Sequence, residues 1–149
     1  MTRTEIEAQF LQFEERRSRL KQLALELDYN FTLLHAAPYI KDEPNLDVFE
    51  TTAIDALLVD AYSLIQDHAQ LVQELQGLRR QLQQLRTRRE LFVAEMGRSS
   101  LIPGRKNPVE SYNQYVAGRS RQIKESIQRA ESLLKTHFGV AGAALNWRE

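Results

Sequence analysis

The sequence has no cysteine among its 149 residues, which excludes disulfides, thiol chemistry and cysteine-ligated metal sites. Proline and glycine are scarce, at four and six residues, and most of them fall between long stretches that hold neither. That distribution fits an ordered helical chain and argues against a disordered one. No window approaches the roughly 18 apolar residues that a membrane span needs. The opening Met1-Thr2-Arg3-Thr4-Glu5 becomes charged at once, without the apolar run of a signal peptide. Net charge is also lacking, since 20 Lys and Arg balance 20 Asp and Glu, so bulk charge points to no polyanionic partner. The expectation is a soluble, intracellular, cytoplasmic protein with no membrane association.

What the chain does have is a heptad seam. Ala61, Leu64, His68, Leu71, Leu75, Leu78, Leu82, Leu85, Arg89, Phe92 and Met96 are spaced alternately three and four apart, the pattern of a helix that buries one narrow stripe against other helices. A second seam runs through Ile6, Phe10, Phe13, Arg17, Leu20, Ala24, Leu27, Phe31 and Leu34. A third helix carries Tyr112, Val116, Ile123, Ile127, Ala130 and Leu134. No segment alternates apolar and polar residues long enough to propose a strand.

Start and stop signals place the boundaries. Thr2-x-x-Glu5 and Thr4-x-x-Glu7 both read as capping boxes, so helix 1 covers about 4–37 and stops before Pro38. Asp47-x-x-Glu50 opens helix 2 at about 47–97. Gly77 weakens that helix by about 1 kcal/mol, but the heptad phase passes through it unchanged, which predicts one continuous helix of about 75 Å. Gly97 is placed to end it. Asn107-Pro108-Val109-Glu110 opens helix 3, covering about 108–138 up to Gly139, and the tail 139–149 has no assignment. The predicted fold is all-α: a single unit, 1–149, forming an elongated antiparallel three-helix bundle or coiled coil with a long central helix. The middle helix outruns its neighbours, which leaves apolar seam for a partner to cover.

Candidate chemistry is thin. His68 lies on the central seam, where a lone polar residue commonly sets register. His35 and His137 sit at helix C-termini, where positive charge is favourable. None is preceded three residues earlier by Glu, and the zinc, phosphate-loop and nucleophile-elbow patterns are all missing. An enzyme with a site around His68 would need acidic partners that the sequence does not supply. The chain therefore reads as non-enzymatic, with no metal and no cofactor.

Charge is segregated along the chain. Between Asp28 and Asp67 eight acids face Lys41 alone, a balance of −7; between Arg79 and Lys106 eight bases face Glu90 and Glu95, a balance of +6. Helix-dipole preferences explain the charges near helix ends only. The rest suggests either steering of a protein partner or a nucleic-acid contact at the basic end. Against the second, these arginines alternate with seam leucines and few aromatic residues stand nearby for stacking. The architecture resembles small helical export chaperones and coiled-coil subunits of larger assemblies, a likeness of shape that assigns no function.

The reading is a protein–protein interaction module, either a coiled-coil scaffold subunit of a multiprotein complex or a helix-binding chaperone. It would be oligomeric, with another copy or a different protein as partner. Leu71, Leu75, Leu78, Leu82 and Leu85 would be the apolar anchors and Arg79 and Arg86 would set orientation. Leu101 and Ile102 in the loop before helix 3 either fold back to cap the hairpin or dock a partner, and Trp147 in the tail either packs on its own chain or hooks a partner; all three are further partner-binding candidates. A nucleic-acid-associated protein using the basic end of helix 2 is the alternative.

Overall fold

The computed structural model describes residues 2–36, 48–99 and 108–146. Every regular element among them is helical, so the all-α class holds. Helix α1 spans Arg3–Ala36 and starts on a capping box: the Glu5 amide donates to Thr2 Oγ1 at 3.2 Å and the Thr2 amide to Glu5 Oε2 at 3.0 Å. Helix α2 is one α turn, Thr52–Asp55, that widens into a π turn over Ala56–Asp60. A 3-10 turn at Tyr62–Leu64 leads to α3, Ala69–Ser99. Helix α4 spans Pro108–Phe138, and a last 3-10 turn covers Ala143–Asn146.

The continuous helix expected over 47–97 is therefore broken, and the break lies at residues 61–68 rather than at Gly77. No glycine or proline marks it. Its cause is tertiary. Helices α3 and α4 are both 31 residues long and lie antiparallel: the His68 ring is 4.9 Å from His137 at one end, and Phe92 stacks on Tyr112 at 4.7 Å towards the other. A helix continued upstream of residue 69 would run off the end of α4. Reversing direction instead packs Phe49, Ile54, Leu57, Ala61 and Ile65 into the core, all 6 % exposed or less, a gain of about 1.5–3 kcal/mol for each large side chain. The buried stripe on this segment includes Ile65, not the seam residue Leu64. His68 is the residue whose carbonyl accepts the first bond of α3, from the Val72 amide at 3.1 Å. At the other end α3 runs on through Gly97 to Ser99.

The result has four members, not three. Helix α1 packs on α4 and α2, and α3 packs on α2 and α4. The α2 segment runs antiparallel to α1, because Glu26 bonds Ala53 and Ile54 while Asn30 bonds Glu50. It also runs antiparallel to α3, because Thr51 meets Arg86 and Asp55 meets Arg79. This is up-down-up-down bundle topology with a short, irregular second member. Fully buried Leu23, Leu27, Leu71, Leu75, Leu78, Ile123, Ile127 and Leu134 fill its centre.

Polar side chains of α1 fix the irregular parts. Asn30, fully buried, donates to the Glu50 carbonyl at 2.8 Å and accepts from the Glu50 amide at 2.9 Å, as a neighbouring strand would. The Glu26 carboxylate accepts from the Ala53 and Ile54 amides at 2.8 and 3.0 Å. Asp28 accepts from the Ala143 and Ala144 amides, each at 2.9 Å, and so holds the C-terminal segment across α1 and α4. These bonds satisfy backbone donors that helices as short as α2 cannot satisfy themselves.

Candidate functional site

The apolar stripe of α1 outlasts the bundle that buries it. From Leu20 to Leu34 the stripe lies in the core: Leu20, Leu23, Ala24, Leu27, Phe31 and Leu34 are at most 4 % exposed. Upstream, residues 2–15 are all exposed, including Ile6 at 54 %, Phe10 at 61 % and Phe13 at 49 %. Spacings of four and three place these three on one helix face, the face that continues into Leu20, Ala24 and Leu27. The cover ends because α4 ends. Gly139, with φ 68°, turns left-handed, its amide bonds the Lys135 carbonyl at 3.1 Å, and the Val140 amide bonds the Leu134 carbonyl at 3.4 Å. That closure is the usual glycine stop of a helix. The chain then crosses towards Asp28, and α1 projects past it as an arm.

Two clefts flank the foot of the arm. One, of about 430 Å³, lies between Phe13, Arg16, Arg17, Leu20 and Lys21 of α1 and His137, Phe138 and Val140 beyond it. The other, of about 580 Å³, lies between residues 9–16 of the arm and residues 60–64. The Arg16 guanidinium stands 5.5 Å from the Phe138 ring centroid, and the His68 ring meets Phe138 edge-on at 4.6 Å. His68 thus forms part of a ring cluster at the foot of the arm, with Phe138 and His137, instead of setting register inside a seam. Among the described residues no group of three or more His, Cys, Asp or Glu side chains could hold a metal ion. No described helix is long and apolar enough to cross a membrane.

The structure moves most of the residues expected to bind a partner. Leu71, Leu75, Leu78, Leu82 and Leu85 are all 0 % exposed, packed in the chain's own core, so they offer no surface to another molecule. Arg79 pairs with Asp55 at 2.7 Å, and Arg86 donates to Thr51 Oγ1 at 3.2 Å. Residues 51–55 lie against α3, so one pair of the charges separated along the sequence, Asp55 with Arg79, meets within the molecule. Arg88 and Arg119 lie over the Tyr115 ring at 5.5 and 3.6 Å. These contacts engage Arg79, Arg86 and Arg88 of the basic stretch on which a nucleic-acid reading relied. Leu101, Ile102 and Trp147 lie outside the described residues.

One polar site escaped the sequence reading. Glu131 of α4 is completely buried beside Asp28 and beneath the C-terminal segment. Burial pushes its pKa up to about 8; the neighbouring Asp28 adds to the rise, while the Leu145 and Ala144 amides oppose it. Gly142 lies so close that a β-carbon there would overlap the Glu131 carboxyl group. In sequence Glu131 is one of many helical acids, and nothing local distinguishes it.

The chain matches no family model, no curated protein and no solved structure, so its function is argued from this geometry.

Proposed function

We propose that this chain is a non-enzymatic protein–protein interaction module, a helical subunit of an assembly, that docks its partner through the N-terminal arm of α1. One observation carries the reading: the bundle's own apolar stripe continues through Ile6 and Phe10, 54 % and 61 % exposed, and through half-exposed Phe13 at the edge of the bundle. Exposed aromatic and aliphatic side chains at helical spacing are the anchors of helix-in-groove association. Each large apolar side chain taken out of water there adds about 1–2 kcal/mol of association energy. The arm replaces the central leucines as the contact surface, while the mode of association expected from the sequence, helix against helix, is kept.

A photo-crosslinking residue in place of Phe10, in the protein's native source, tests this. Discrete protein adducts are expected from position 10. The same residue in place of Leu25, exposed but on another face, is expected to give none. Equal labelling from both positions, or none from the arm, would overturn the reading.

A further inference from the structure

Resting on that reading, we propose that the arm's occupant is a second copy of this chain, its arm lying antiparallel along the first. The argument begins with charge. Residues 3–10 at the tip hold Glu5 and Glu7 against Arg3, a balance of −1. Glu14 and Glu15 stand beside the foot, where Glu15 pairs with Arg19; residues 16–21 hold Arg16, Arg17, Arg19 and Lys21, a balance of +4. The arm is thus acidic towards its tip and basic at its foot. Parallel pairing would set tip on tip and foot on foot, with like charges together. Antiparallel pairing sets each acidic tip on the other copy's basic foot, the complementary arrangement.

The apolar residues agree with the same register. Aligning Phe10 with Phe13 of the second copy brings four phenylalanines to the centre, two from each arm. It also sets Ile6 opposite Arg17 of the other copy. The foot is built to receive the tip: the 430 Å³ cleft is lined by Phe13, Leu20 and Phe138, and by the bases Arg16, Arg17 and Lys21. The incoming arm would lie in line with α4, beyond the point where Gly139 stops that helix. Each copy would supply the helix that the other lacks, a closed two-fold contact that leaves neither stripe open. Two ion pairs lie along the arm and its foot, Arg3 with Glu7 at 3.2 Å and Glu15 with Arg19 at 3.4 Å. The first is 93 % and 63 % exposed, so its rearrangement meets no packing constraint.

Sedimentation equilibrium over a wide concentration range supplies the first test. The chain is expected to dimerise, and Phe10→Asp to weaken the dimer roughly thirtyfold or more. Reversing the tip (Glu5→Arg with Glu7→Arg) or the foot (Arg16→Glu with Arg17→Glu) should each weaken self-association. Combining both reversals in one chain should restore it.

Because the chain has no cysteine, orientation is read directly. A mixture of Ile6→Cys and Arg17→Cys chains should form the mixed disulfide. Ile6→Cys alone should not, since two copies of position 6 would stand about 16 Å apart along the helix axis. A disulfide between two copies of position 6 would show parallel arms and overturn the proposal. A chain that stays monomeric at every concentration would overturn it as well. The adducts from position 10 then separate the two readings: adducts to a different protein would leave the docking arm standing and remove the second copy, and no adducts would remove both.

Discussion

The two halves of α1 share one stripe and one helix, yet they have opposite fates. Leu27 is 0 % exposed and Phe10 is 61 % exposed, although both occupy seam positions and Phe10 has more apolar surface to lose. The second half lies against α2 and α4 and carries Glu26, Asp28 and Asn30, whose side chains hold two irregular segments in place. The first half meets neither helix along most of its length. Periodicity thus records that a face is meant to be buried; the lengths of the neighbouring helices decide whether this chain buries it.

The contrast is sharpened most by pH. Glu131 sits under the segment that Asp28 holds, with its pKa raised from 4.5 to about 8. A carboxyl group whose folded pKa is raised contributes stability that is fully present below about 4.5 and is lost as pH rises through about 8. A shift of this size is on the order of 5 kcal/mol across that window. Glu26, also raised by burial, changes stability in the same direction. Urea unfolding should therefore show the chain less stable at pH 8.5 than at pH 5, and Glu131→Gln should flatten most of that difference. An arm variant such as Phe10→Asp should leave the slope as it is, because the arm holds no buried carboxyl group.

Core truncation comes next. Leu27→Ala removes a fully buried side chain between α1 and its neighbours, and is expected to cost about 3 kcal/mol in urea unfolding. A loss below about 1 kcal/mol would mean that the second half of α1 is no better packed than the first. Gly142→Ala is smaller in volume but acts on the same half, since the added β-carbon would overlap the Glu131 carboxyl group. An expected loss of about 1–2 kcal/mol, with faster proteolytic cleavage of the C-terminal segment, would show that this segment is displaced from Asp28.

Much of the fold was legible in the sequence only as helix. The capping box at Thr2 and Glu5 and the glycine stop at Gly139 depend on residues a few positions apart, and both act as local rules require. The break at residues 61–68 was not legible, because it follows from the length of α4, nearly 70 residues downstream, and from a buried stripe that competes with the heptad register at Ile65. The contacts of Asn30 with Glu50 and of Asp28 with Ala143 and Ala144 join residues 20 to 116 positions apart, and no spacing rule reaches that far. The central leucines illustrate the same limit. Their pattern requires burial, and it is silent on whether the covering helices belong to this chain or to another.

The smallest expected effect is the most discriminating one. Below the concentration at which copies associate, Phe10→Asp should change the unfolding free energy by no more than about 0.5 kcal/mol, as exposed positions generally do. At higher concentration the wild-type melting temperature should rise with protein concentration, because association stabilises only the folded form. The melting temperature of Phe10→Asp should stay constant. A loss above about 1 kcal/mol in the dilute variant would mean that Phe10 packs on its own bundle, and the contrast between the two halves of α1 would collapse. A concentration-independent wild type would keep the contrast and leave the exposed stripe to a partner other than this chain.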